Sequence, residues 1–378
     1  MESAFEGAKQ RDTVPFRHDI VGSFLRPAAL KEARAKFQAG EITANDLRKV
    51  EDEEITKLVQ KQKEVGLKGV TDGEFRRSWW HLDFFWGLDG VEKRVAEQGY
   101  VFHGVVTRAE TAILTGKIGC SVHPMVEHFK FLKQVAGEGV TPRMNIPGPA
   151  QFLYEIQRDE NKKGTEEIYP NFEDLLTDIA SAYNTAIRSF YDAGCRNLQI
   201  DDCTWGIIGD PKIQEAYKNK GIDVNELFKV NVDITNRAIV GLPEDLVLTM
   251  HVCRGNYKST YLSSGGYDPV EKYLFSNVNV KGLYLEFDTE RAGTFEPLRF
   301  VGDKQIVVGL FSSKFGKLED KEQIKARVVE ATKVLNINQI CLSTQCGFAS
   351  TEEGNILTEE GQWNKLRHIK EVADEIWH

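Results

Sequence analysis

Eight short, continuously apolar runs, separated by stretches with helical periodicity, constrain this chain more than any other feature. They are Asp19–Phe24, Val70–Glu74, Met144–Pro147, Leu198–Asp201, Val247–Cys253, Leu283–Phe287, Ile306–Phe311 and Ile340–Ser343. Runs this short, without polar alternation, read as parallel strands buried on both faces. The intervals carry apolar residues at three- and four-residue steps. Leu176, Ile179, Tyr183, Ile187 and Phe190 mark one helix, which Gly194 is suited to end, and Ile324, Val328, Ala331 and Leu335 mark another. Eight such alternations predict an α/β fold of the (β/α)8 TIM-barrel kind. A doubly wound open sheet is the alternative, but its G-x-G-x-x-G fingerprint is absent, as is a P-loop. A length of 378 residues fits one barrel with insertions, so residues 1–378 read as a single unit.

One interval is too long for a helix and its loops. Residues 75–141 contain an aromatic cluster, SWWHLDFFWG, and a β-rich piece, GYVFHGVVTRAETAILTGKIG. This predicts an inserted β-rich excursion after the second strand, with a hairpin in that piece and a helix near Val122–Val135. The aromatics from Trp79 to Trp86 read either as a cover for the barrel or as the wall of a substrate site.

Composition excludes several classes of function. The net charge is −9 and no Lys/Arg-rich block appears, which argues against a nucleic-acid partner. No apolar run approaches the roughly 18 residues of a spanning helix. The polar start, MESAFEGAKQRD, lacks the apolar core of a signal peptide. Six cysteines in this length do not resemble a disulfide framework, so a cytoplasmic protein with reduced thiols is expected.

In a barrel, functional side chains sit where strands end on the C-terminal face. Those ends carry Gly22-Ser23, Asp72-Gly73-Glu74, Pro147-Gly148-Pro149, Asp201-Asp202, His251 and Cys253, Glu286 and Asp288, and Cys346-Gly347. His251 and Cys253 lie two apart on a strand, so their side chains share a face. With Glu286 and Cys346 they make one imidazole, two thiols and a carboxylate, a donor set whose softness favours Zn2+ over magnesium or calcium. Cys120, Cys195, Cys203 and Cys341 are assigned to packing. Glu74, Asp201 and Asp202 read either as rim carboxylates bonded to backbone or as groups that bind a substrate amine or move protons. A zinc held by two thiolates and an imidazole has a net charge near zero and suits binding a further thiol. It ionises that thiol at neutral pH and makes it a nucleophile, with Glu286 as the ligand that gives way.

These residues resemble the catalytic barrel of the cobalamin-independent methionine synthase family, in its short, single-barrel form. The resemblance is carried by VGSFLRP (Val21–Pro27), TDGEFRR (Thr71–Arg77), IPGPAQFL (Ile146–Leu153), LQIDD (Leu198–Asp202), MHVCRGN (Met250–Asn256), LYLEFD (Leu283–Asp288) and STQCGF (Ser343–Phe348), in family order across nearly the whole chain. It implies that His251, Cys253, Glu286 and Cys346 are zinc ligands. It implies that Val21, Gly22, Ser23, Glu74 and Asp201 hold the amino-acid part of homocysteine. The implied reaction is methyl transfer to homocysteine, giving methionine, from 5-methyltetrahydrofolate polyglutamate or another donor.

The chain departs from the family after strand seven, where the long enzyme has a histidine that assists protonation of the departing nitrogen. Here the stretch reads GLFSSKFGKLED, Gly309–Asp320, without histidine. Lys314 is the candidate acid, against the simpler expectation of an exposed surface lysine. The folate-stacking tryptophan after the IPGP turn is also missing, with Tyr154 and Glu155 nearby. The remaining alternatives are alkylation of another thiol or from another donor (a corrinoid, or an epoxide as in coenzyme M enzymes), a metal-free decarboxylase-type barrel, and a non-catalytic zinc or thiol-binding protein.

Overall fold

The computed structural model describes residues 5–378. Its strands, in chain order, are β1 (Gly69–Val70), β2 (Asp89–Val95), β3 (Val101–Phe102), β4 (Val105–Val106), β5 (Glu110–Gly119), β6 (Thr141–Pro142), β7 (Met144–Pro147), β8 (Asn197–Asp202), β9 (Val247–Val252), β10 (Gly282–Glu286), β11 (Gln305–Phe311) and β12 (Ile340–Thr344). Strands β7 to β12 form one parallel six-stranded sheet in sequence order. Every residue of β7, β8, β10 and β12 is buried, as the unbroken apolar runs require.

The ring continues past both edges of that sheet. Beyond β7, only Arg143 separates it from β6, which pairs in parallel with β1. Beyond β12, residues 17–19 pair with Leu342: Asp19 N donates to Leu342 O and Leu342 N donates to Arg17 O, each at 2.8 Å. That first segment then meets the chain beyond β1, where Phe24 N donates to Gly73 O at 3.1 Å and Thr71 Oγ1 donates to Gly22 O at 2.6 Å. Eight positions therefore follow one another around a (β/α)8 barrel.

The first position is not the regular strand expected over Asp19–Phe24. The carbonyls of Ile20, Val21 and Gly22 bond to side chains instead of to a backbone ladder. Arg143 Nη2 donates to Ile20 O (2.5 Å) and Val21 O (2.7 Å), and Asn145 Nδ2 and Gln199 Nε2 also donate to Val21 O (2.7 and 2.8 Å). Gly22 is needed here. It has φ +142°, and a Cβ would fall 2.3 Å from Asn145 Nδ2. Arg143 is buried and pairs with Asp19 at 3.1 Å, while Val21, Tyr284, Val307 and Cys341 fill the interior around it.

Helices flank the ring. Phe172–Asp192 buries its apolar stripe, including Leu176, Ile179, Tyr183, Ile187 and Phe190, and Gly194 follows with φ +98°. Lys321–Ala331 buries Ile324, Val328 and Ala331, while Leu335 lies beyond its end. The interval 75–141 holds the expected β-rich excursion after the second barrel position, but its hairpin starts earlier than the sequence indicated. β2 pairs antiparallel with β5, and β3 and β4 form the tip. The helix after it is Met125–Ala136, shifted from Val122–Val135 because Pro124 precedes it and His123 Nδ1 accepts from the Met125 N–H. Among the described residues no helix is long and apolar enough to cross a membrane.

Candidate metal centre and active-site cavity

Strand alternation brings the candidate ligands together. On β9, His251 and then Cys253, just past the strand end, turn inward; on β10 Tyr284 and Glu286 do the same, and His251 is the register partner of Tyr284. Cys346 arrives from the turn after β12. One donor atom from each of His251, Cys253, Glu286 and Cys346 lies within 4.8 Å of the others, and all four residues are buried. The two sulfurs are 3.7 Å apart. Two zinc–sulfur bonds of about 2.3 Å at the tetrahedral angle place sulfurs about 3.8 Å apart, so the spacing fits zinc.

The surrounding bonds prepare each donor. His251 Nδ1 lies 3.3 Å from Tyr284 O, a group that only accepts, so Nδ1 carries the proton. His251 Nε2 is left buried with no hydrogen-bond partner among the described residues. Glu286 Oε1 accepts from Arg254 N at 2.9 Å, and Oε2 faces Arg291 Nη2 at 3.2 Å. Cys253 Sγ accepts from Gly255 N at 3.2 Å. Both thiols are held well above the ordinary thiol range, Cys253 first by its hydrogen bond with Cys203 and Cys346 first by its bond with Cys253, with burial adding to each. Ionising them here calls for a cation between them.

His251, Cys253 and Cys346 form part of the lining of a cavity of about 260 Å3, which Ser23, Glu74 and Asp201 also line. Glu74 is a buried non-glycine residue with φ +60°; its N–H donates to Asp72 Oδ1 (2.9 Å) and Arg77 stands 3.7 Å from Oε1. Its Oε2 is buried and unpartnered among the described residues. Burial pushes Glu74 up to about 7, opposed by Arg77 and reinforced by Asp201. Burial likewise pushes Asp201 up to about 7, although Gln199 Nε2 donates to its Oδ1 at 2.6 Å. Ser23 Oγ accepts from Ala349 N at 3.2 Å, and Gly347 must be glycine because a Cβ there would sit 2.0 Å from that Oγ. Val21 also reaches the cavity, with its carbonyl already taken by the three donors named above.

Residues 16–375 match the profile of the cobalamin-independent synthase catalytic domain. The chain belongs to the cobalamin-independent methionine synthase family. A similar chain is the uncharacterized protein YxjH of Bacillus subtilis (strain 168), 48% identical over 371 residues that span 98% of this chain and 96% of that one. The methionine synthase of Saccharolobus solfataricus is 25% identical over 338 residues, 87% of each chain. Among solved structures, a putative vitamin-B12-independent methionine synthase from Listeria monocytogenes superposes with a TM-score of 0.77 and 40% identity, covering 97% of this chain and 100% of that one. A B12-independent methionine synthase from Shewanella sp. W3-18-1, solved with selenomethionine, shares the fold with a TM-score of 0.67 and 18% identity, covering 95% and 97%.

Within this barrel, two placements differ from the sequence reading. Lys314 is not an exposed surface lysine. It is buried, with Nζ unpartnered among the described residues, because Ser259 Oγ donates to its carbonyl (2.8 Å) and pins the loop inward. It faces the charge of Asp288 and is not among the cavity-lining residues. Cys203 is not remote packing, since it clusters with Cys253, Cys346 and Ile207 and lines the cavity. Its position directly after Asp201-Asp202, at a strand end, was the available signal. The aromatic cluster divides between the two readings: Phe84 and Phe85 are core, while Trp79, Trp80 and His81 line the cavity.

The excursion supplies residues that no strand-end argument finds. Tyr100 and Phe102, on the hairpin, also line the cavity. The Phe102 ring lies 5.6 Å from that of Tyr257, and Tyr261 O accepts from His103 Nδ1 at 2.9 Å, so the tip rests on the loop that follows Cys253. Tyr100 Oη donates to Glu155 and accepts from His81 Nε2 at 3.2 Å, and burial with the charge of Arg158 pushes His81 down to about 3.

Proposed function

We propose that this chain, taken as one catalytic unit with residues 75–141 inserted, is a zinc-dependent methyltransferase that converts homocysteine to methionine. The observation that carries the reading is the convergence of the His251, Cys253, Glu286 and Cys346 donors beside a cavity that His251, Cys253 and Cys346 line together with Glu74, Asp201 and Ser23. A bound zinc would supply the Lewis acidity that keeps a substrate thiol ionised at neutral pH.

The protein's own groups do the rest. Glu74 and Asp201 pair with the ammonium of an amino-acid thiol, a role suited to two buried carboxylates that line one cavity, of which Glu74 keeps an unfilled oxygen. Ser23 and the Val21–Gly22 backbone meet its carboxylate. Trp80, Tyr100 and Phe102 shut out water, so the thiolate meets a methyl carbon rather than bulk solvent.

The donor taken first is 5-methyltetrahydrofolate or its polyglutamate. A second reading concerns the donor alone. A tertiary amine must be protonated to leave, yet Lys314 is buried away from the cavity and the stretch Gly309–Asp320 after β11 carries no histidine. This favours a donor whose leaving group departs without a proton, such as a sulfonium or a methylated corrinoid. The test is metal analysis of the purified protein together with methionine formation from homocysteine, offering the folate with one and three glutamates, methylcobalamin and S-methylmethionine in turn. Zinc near one per chain and methionine from at least one donor are expected. Turnover that survives complete metal removal would reject the reading.

A further inference from the structure

We propose that Arg291 is a positioning residue that competes with the metal for the Glu286 carboxylate, so that Glu286 is a ligand a substrate thiol can replace. The proposal rests on the reading of the four-residue cluster as a metal centre.

The two oxygens of Glu286 are held differently. Oε1 takes a neutral backbone N–H from Arg254 at 2.9 Å, which orients the carboxylate without opposing a cation. Oε2 faces the Arg291 guanidinium at 3.2 Å, and Asp288 Oδ1 shares the same nitrogen at 3.3 Å. A guanidinium and a divalent cation on one carboxylate repel each other, so this contact weakens the carboxylate as a ligand. Only Nη2 is used. Arg291 Nη1 is buried with no partner among the described residues, which leaves the second prong of a fork open. A carboxylate swinging off the metal completes a bidentate pair there, the strongest arrangement available to the two groups.

Charge counting gives the same direction. Zinc with one neutral imidazole, two thiolates and the carboxylate has a net charge of about −1, which Arg291 balances. When a third thiolate takes the place of the carboxylate, the metal set keeps that charge and Glu286 becomes a free buried anion. Such an anion is costly unless a cation is already beside it. Arg291 is fixed for that task, since its carbonyl accepts from Gly265 N at 3.0 Å and its guanidinium lies 4.4 Å over the Tyr261 ring.

The test compares Arg291→Met with Asp288→Asn in the full-length protein. Zinc affinity is read by competition with a chromophoric chelator, and homocysteine affinity by KM. Removing an outer partner that merely supports a ligand costs about 10–100-fold in metal affinity. The proposal requires the opposite sign: Arg291→Met should bind zinc about tenfold more tightly and homocysteine about tenfold more weakly, on that same scale. Asp288→Asn frees Arg291 for Glu286 and should shift both in the reverse sense. Looser zinc in Arg291→Met, or equal shifts of one sign in both variants, overturns the proposal. If Arg291→Met does not fold, Asp288→Asn decides alone, because unchanged or tighter zinc there overturns it. Chelator competition needs no turnover, so this proposal can fail while methyl transfer stands, and methyl transfer can fail while it holds.

Discussion

Asp201 and His251 are register partners on the adjacent parallel strands β8 and β9. A carboxylate suited to an ammonium and an imidazole suited to a metal therefore stand side by side, fixed by backbone hydrogen bonding and not by flexible loops. That spacing is inherited from the sheet, and on the proposed roles substitutions at Asp201 and at His251 should affect amino-acid binding and metal binding separately.

Cys346→Ser should cut zinc affinity by more than the roughly tenfold typical of an outer partner and abolish methionine formation, while homocysteine-independent stability changes little. Metal analysis after dialysis checks the first and a product assay the second. Full zinc content in the variant would contradict the ligand assignment.

Glu74 and Asp201 are each pushed up to about 7 by burial. Their folded values exceed the unfolded carboxylate range of about 4, so the folded state holds protons that the unfolded state has lost. Their contribution is full below about pH 4 and declines as pH rises to about 7. An ammonium ligand needs the ionised forms and reverses this trend. Thermal melts between pH 5 and 8 should show methionine stabilising the protein more at the alkaline end, and Glu74→Gln should flatten that dependence.

Arg143→Met should destabilise the fold by about 3–5 kcal/mol, because it removes the buried cation partner of Asp19 and leaves the Ile20 carbonyl without its donor, while Asn145 and Gln199 still hold Val21 O. Urea unfolding measures this. Adding Asp19→Asn should recover part of the loss, whereas a double variant as unstable as the sum of both singles would place the effect elsewhere.

Phe102→Ala removes one ring of the pair formed with Tyr257, worth about 1 kcal/mol. Homocysteine KM should rise about fivefold by the usual conversion, with kcat less affected. An unchanged KM would mean that the hairpin tip does not help retain the substrate.

The sequence was most readable where burial is two-sided. Strands β8 to β12 are short apolar runs because helices cover one face and the barrel interior the other, and the polar residues that interrupt them, Asp201, His251 and Glu286, stand out for that reason. Readability failed where side chains replace backbone pairing: nothing local in Asp19–Phe24 reveals that Arg143, Asn145 and Gln199 will satisfy its carbonyls. It failed again at β2, whose residues DGVEKRV are mostly exposed and carry no core-facing alternation. Lys314 shows a third limit, because its burial is imposed by Ser259, distant in sequence.

The hairpin tip touches the barrel through Tyr257 and Tyr261, on the loop that begins at Cys253, and Phe102 packs so close to Gly255 that a methyl group there would meet its ring at 3.0 Å. Two stretches far apart in the chain are thus matched to each other across the mouth of the cavity. A chimaera that borrows the hairpin from a relative must borrow that loop as well, and substrate preference in this lineage should drift through paired changes in the two rather than through either one.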